Sequence, residues 1–261
     1  MLTTIYATPH VTRRFWPVVM RNLLVWKKLA GASIIGNIAE PLITLVAFGY
    51  GVGSLVGQVD GMPYIQYLAS GSLAASAALA ATFEALYSAY SRMEVQKTWD
   101  SILNAPVALD DIVFAEMLWA AMKALFSCAA ILVVIFVLDI SRAPTMLLAL
   151  PVLGLAGVTF ASLALIFNAL AKGYDFFTYY FTLVVTPMTF LSGVYFPIAQ
   201  MPPWLQALAQ VLPLKAAVDL VRPLVLGNIP ADPLWPLLIL AGYACSGYYL
   251  ALVLTRRRFF R

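Results

Sequence analysis

Few side chains in this sequence of 261 residues are equipped for covalent or metal chemistry. His10 is the only histidine and lies near the N-terminus, so no histidine general base or histidine metal site can be built elsewhere. Cys128 and Cys245 each sit in an apolar stretch, without metal spacing or a disulfide framework, and read as small core hydrophobes. No G-x-x-x-x-G-K-[ST] loop is present, which excludes ATP binding by that route. No metal site and no catalytic group is expected. Carboxylates are what is left: Glu40, Glu84 and Glu116 lie in or beside apolar stretches. Carboxylates inside a membrane are costly, which points to a polar pathway or a proton relay. The competing reading is a carboxylate at the interface, satisfied by water, lysine or backbone. That reading is the favoured one, most strongly for Glu116. A membrane enzyme would have to work with carboxylates alone.

The elements that hold these residues follow from composition. The chain is 62% apolar and 11% charged, whereas a water-facing domain needs roughly a quarter of its residues charged. A bilayer as solvent accounts for the deficit. The expected fold is an all-α integral membrane protein, a single transmembrane domain over 1–261 with six spans. These are 33–57, 64–89, 112–138, 145–170, 176–196 and 233–254, each close to the roughly 20 residues that cross about 30 Å of hydrocarbon. Glu40–Pro41 leaves two starts open for the first span.

Two segments do not span. Over 11–30, Arg14, Arg21 and Lys28 share one helical stripe opposite Trp16, Val19, Leu23, Trp26 and Ala30. This predicts an interfacial amphipathic helix. Residues 200–228 are broken by Pro202, Pro203, Pro213 and Pro223. There Leu214, Val218, Val221 and Val225 form one stripe, and Lys215, Asp219 and Arg222 form another spaced for ion pairs. Two short outer helices, re-entrant or folded back on the bundle, are expected.

Charge sets the orientation. Of the 16 Lys and Arg, Arg142, Lys215 and Arg222 fall on the proposed outside and Lys123 within a span, and the others lie inside. Both termini are therefore expected in the cytoplasm, with the first span acting as its own insertion signal. Tyr64, Tyr67, Tyr195, Trp204 and Trp235 mark the outer interface.

Residues 187–206, PMTFLSGVYFPIAQMPPWLQ, continuing through Leu212-Pro213-Leu214 to Arg222-Pro223-Leu-Val-Leu-Gly227, resemble the signature region of ABC-2 type transporter permeases. The resemblance extends over nearly the whole chain and is strongest to the nodulation protein J subfamily, permeases of lipo-chitooligosaccharide exporters. It implies a homodimer bound to two copies of a separate nucleotide-binding ATPase, which would bind ATP and Mg, so no cofactor is expected in this chain. The loop 91–111 would be the coupling segment that contacts the ATPase in the cytoplasm. Val95, Trp99 and Ile102 would share its docking face, with Glu94, Lys97, Asp100 and Asn104 as polar contacts. The interfacial helix would touch the ATPase or frame a lateral gate.

The resemblance also implies a path between the two copies, lined by the first, second and fifth spans. Aromatic residues concentrate there: Tyr50, Phe83, Tyr87, Phe177, Tyr180, Phe181, Phe190 and Tyr195. Such faces stack on sugar rings and pack on acyl chains, and the competing reading is lipid-facing or packing aromatics. The function implied is export of an amphiphilic glycolipid or lipo-oligosaccharide across the bacterial inner membrane. Polysaccharide or hydrophobic-drug export on the same machine, or ion-coupled secondary transport, are the alternatives.

Overall fold

In hydrocarbon the backbone must satisfy its own hydrogen bonds, so the apolar stretches become helices. The computed structural model describes residues 5–260, apart from the side chains of Asn37 and Glu40. The reading of Glu40 as an intramembrane polar group thus lies outside the described residues. Helix α1 (Phe15–Lys27) leads into α2 (Ala30–Val56). A tight turn follows, in which β1 (Gln58–Val59) pairs antiparallel with β2 (Met62–Pro63), Val59 opposite Met62. Then come α3 (Tyr64–Val95), α4 (Thr98–Leu103), α5 (Leu109–Val137) and α6 (Pro144–Leu170). The chain closes with α7 (175–191), α8 (Pro203–Ala209), α9 (Pro213–Val225) and α10 (Leu234–Phe259).

Among the described residues α2, α3, α5, α6 and α10 are the 5 helices long and apolar enough to cross a membrane. Helix α7, expected as a further span, is about 25 Å long at 1.5 Å per residue, slightly less than the hydrocarbon core. It stops at Leu191 rather than Phe196, because Ser192 leaves the helical conformation and Gly193 turns the chain with φ +72°. Helix α3 runs beyond the expected Ala89 through wide π turns at Glu84–Ser88 and Ser91–Val95.

Helix α3 is the hub. Across its apolar window 78% is buried, against 12% for α2, which lies at the edge of the bundle. Its Ala, Ser and Gly residues let neighbours approach closely, and it touches α5, α6 and α9, while α10 lies along α6. Gly71 marks the tightest approach: a Cβ there would lie 2.7 Å from the Val194 carbonyl oxygen.

Helix α9 folds back onto this hub. Leu214, Val218, Val221 and Val225 are buried against α3, α6 and α10, as their shared stripe requires. The charged stripe divides, contrary to the expected three-way pairing. Lys215 pairs with Asp219 one turn on, whereas Arg222 turns inward, 3.7 Å above the Tyr67 ring, and donates to the Gly193 carbonyl at 2.6 Å. Tyr67 donates to the same carbonyl at 2.9 Å. The cation–π contact and two donors clamp α9, α3 and the end of α7 together.

Helix α1 also differs from a surface-lying helix. Val18, Val19 and Asn22 are buried and Trp26 stacks on Phe126 at 5.2 Å, so this face packs on α5. Trp16 is exposed, Arg14 donates to the Pro106 carbonyl, and Arg21 reaches Thr98 and Asn22. Lys28 remains exposed.

Gly71→Ala is expected to lower thermal stability in detergent by about 1–3 kcal/mol, the cost of overpacking against backbone. Gly242→Ala, where nothing lies within 4 Å of the added carbon, should leave the melting temperature unchanged.

Candidate functional site

Glu84, a candidate intramembrane polar group, and Glu116, expected at the interface, meet in one buried network. Glu84 leaves α3 from its first π turn and Glu116 leaves α5, with 3% and 1% of their side chains exposed. Arg92, two turns beyond Glu84, donates from Nη2 to Glu84 at 2.9 Å and from Nε to Glu116 at 2.9 Å. Lys123 holds the other Glu84 oxygen at 2.7 Å. Two indoles complete the shell: Trp119 donates to Glu84 at 2.8 Å and Trp99 to Glu116 at 3.1 Å. Such a network is tolerated in an apolar bundle only when each charge is paired and hydrogen-bonded. Both glutamates are thus ion-paired within the protein, Glu84 in part by a lysine, and among the described residues they do not extend into a line across the bundle.

The α3–α5 connection is built around this network. Lys97 takes a left-handed backbone conformation, φ 52°, which ends α3 and restarts the chain as α4. The expected single docking face of Val95, Trp99 and Ile102 is therefore absent. Val95 is 63% exposed, Trp99 only 1%, and Ile102 packs on the core. Trp99 stacks on Phe259 at 6.0 Å and is rooted in Glu116. Asp100 and Asn104 are exposed. Glu94 pairs with Lys97 and with Arg258, each at 2.9 Å. Its hydrogen bond holds the exposed Lys97 ammonium above the ordinary lysine pKa.

Both chain ends converge here. Asp110 and Asp111 occupy the first turn of α5, where the helix dipole favours them. Asp110 pairs with Arg256 of α10 and accepts the His10 backbone N–H at 2.9 Å. Asp111 accepts the Thr12 backbone and hydroxyl at 2.6 and 2.9 Å. Arg256 also donates to the Ile5 and Ala7 carbonyls, and Arg258 to those at the end of α6. None of these partners was read from the sequence. Part of the signal was there: Glu84 and Arg92, and Glu116 and Lys123, lie about two helical turns apart on shared faces.

The eight aromatic residues separate into groups. Phe83, Tyr87 and Phe181 stack between α3 and α7, with centroids 4.6 to 6.2 Å apart. Phe177 and Tyr180 are fully buried inside the bundle, so within one protomer they are packing residues and line no open surface. Phe83 and Tyr195 line a cleft of about 390 Å³ with Gly36, Pro41 and Ser72 of α2 and α3. Phe190 and Tyr195 line a second, about 500 Å³, with Phe48 and Val52. Tyr50 is exposed and lines neither. No cluster of His, Cys, Asp and Glu able to hold a metal occurs among the described residues.

The fold is a polytopic helical membrane bundle, with a short helix folded back at one end and a buried ion network at the other. The chain belongs to the ABC-2 type transporter family, whose model matches residues 13–226. It is similar to Nodulation protein J of Sinorhizobium fredii, 44% identical over 238 residues that cover 91% of each chain. Nodulation protein J of Rhizobium leguminosarum bv. trifolii is 44% identical over 258 residues, 99% of this chain and 98% of the relative. Inner membrane transport permease YadH of Escherichia coli is more distant, 25% identical over 183 residues, 68% of this chain and 71% of the relative.

Arg92→Leu would leave Glu116 without a cation, and is expected to cost about 3–5 kcal/mol of stability, read from detergent melting. Adding Glu116→Gln should recover part of that loss, and strict additivity of the two changes would refute the pairing. Arg256→Ala should release residues 5–12 to limited proteolysis while the spans stay protected.

Proposed function

We propose that this permease is the membrane half of an ATP-driven exporter that moves an amphiphilic lipo-oligosaccharide outward across the inner membrane. It works as a homodimer, with two copies of a separate ATPase on the cytoplasmic face and both termini on that side. The observation that carries this reading is the α3–α5 connection. It presents exposed Val95, Lys97 and Asp100 at the basic end of the bundle, while buried Trp99 ties the same segment to ion-paired Glu116. Motion imposed on the exposed part is then passed to α3 and α5 through Trp99 and Arg92. Similarity to Nodulation protein J along more than nine-tenths of the chain supports the choice of cargo. The clefts beside α2, with Phe48, Phe83, Phe190 and Tyr195, offer apolar and aromatic walls suited to an acyl chain and a sugar face. In the homodimer α2 and α7 of the two copies flank the path, and α8–α9 close its outer end.

The test is reconstitution with the co-expressed ATPase in vesicles, following accumulation of a labelled lipo-oligosaccharide. ATP-dependent accumulation is expected. Transport of only a polysaccharide or a drug, or transport driven by an ion gradient without the ATPase, would replace this reading. Val95→Glu should weaken capture of the ATPase. Trp99→Ala should leave the complex assembled but lower cargo moved per ATP hydrolysed; normal export in that variant would show that Trp99 does not couple the two.

A further inference from the structure

At the basic end, α1, α2, α3 and α5 line a half-open cavity of about 230 Å³ beside the ion network. Its walls include Arg21, Asn22, Trp26, Arg92, Trp119 and Lys123, together with the ion-paired carboxylate of Glu84. Charge within this group does not balance. Arg92 and Lys123 are matched by Glu84 and Glu116, whereas Arg21 forms no ion pair among the described residues. Its guanidinium reaches only Asn22 Oδ1 at 3.0 Å and Thr98 Oγ1 at 3.5 Å. The unmet polar groups are all donors. Asn22 is 3% exposed and its Nδ2 has no partner; Trp26 Nε1 is likewise buried and unpartnered. Buried donors without acceptors are rare and costly in native proteins. One surplus cation and two orphaned N–H groups in one cavity call for an anion with several acceptor oxygens.

The surroundings indicate where that anion comes from. Leu24, Val25 and Leu29, beside the cavity on α1 and its exit, are exposed apolar residues. An adjoining groove along α1 is walled by Pro17, Met20, Leu24 and Lys28, with Arg21 and Val25 shared between groove and cavity. A phosphate with apolar chains attached fits both parts, and basic cavities between helices on the cytoplasmic side suit anionic headgroups. We infer that the cavity binds the phosphate headgroup of an anionic membrane lipid, held by Arg21, Asn22 and Trp26. The bound lipid joins α1 to the ion network and so to the α3–α5 connection. This site is separate from the clefts assigned to cargo and does not depend on the identity of the cargo.

The test uses the full chain, purified in detergent, with phosphatidylglycerol, phosphatidylcholine or inorganic phosphate added. Native mass spectrometry reads lipid retained, and thermal unfolding reads stabilisation. Phosphatidylglycerol should be retained and raise the melting temperature more than phosphatidylcholine, and inorganic phosphate should do neither. Trp26→Phe keeps an aromatic ring facing Phe126 and Trp119 and removes the N–H together with part of the ring; Arg21→Gln removes the surplus charge. Each should weaken phosphatidylglycerol retention about tenfold, as loss of one charge-assisted hydrogen bond implies. Lys27→Gln, at an exposed cation of the same helix that lines neither the cavity nor the groove, should retain it unchanged. Equal retention in wild type and in both cavity variants, or no retention in wild type, overturns the site. Equal stabilisation by inorganic phosphate overturns the lipid assignment.

Discussion

Burying Glu84 and Glu116 inside an apolar bundle is the constraint around which the rest is arranged. Removing a carboxylate from water costs several kcal/mol, and only close, well-oriented donors offset it. Arg92 serves both carboxylates from one guanidinium, which a lysine could not do with the same geometry. Lys123 takes the Glu84 oxygen that Arg92 leaves free, and each indole adds a donor to an oxygen that Arg92 also serves. Three elements must therefore keep register: α3 with its π turns, α5, and the short α4 that carries Trp99. The widened turns at Glu84 and Arg92 are consistent with helices adjusted locally so that specific side chains meet.

The same end of the bundle gathers residues 5–12 and the end of α10. Arg256 and Arg258 act as fasteners. One holds Asp110 and the N-terminal segment; the other holds Glu94 and the end of α6. At the opposite end a single cation, Arg222, grips Tyr67 and the Gly193 turn. Helix α3 is thus locked by arginines at both of its ends, while α2 lies at the edge with an apolar face exposed. A bundle with one rigid hub and one loosely covered edge helix has an obvious place for a partner or for motion.

The aromatic residues divide along the same line. Those between α3 and α7 hold the hub to its neighbour; Phe177 joins them through Tyr87 and Tyr90, while Tyr180 packs on Phe167 of α6. Phe83, Phe190 and Tyr195 reach the clefts beside α2, where the bundle is open. Packing and cleft-lining are both present, assigned by position rather than by residue type.

Much of this protein was legible in its sequence. The shortage of charge demanded a bilayer, the bilayer demanded helices, and the apolar runs marked the spans to within a few residues. The two stripes of α9 announced a helix with one buried face, and the missing phosphate loop and histidines removed most enzymatic chemistry. Tertiary structure decided the direction in which each face points. Val95 and Trp99 part company because Lys97 breaks the helix between them, a backbone event that side-chain periodicity does not report. Arg222 leaves Asp219 for Tyr67 because α9 lies against α3, and Glu116 finds Arg92 because α5 does. The reason is physical: periodicity states which residues share a helix face, but in a membrane an apolar face is equally at home against lipid or protein. Only the packed arrangement distinguishes the two, and with it the partner of every buried charge.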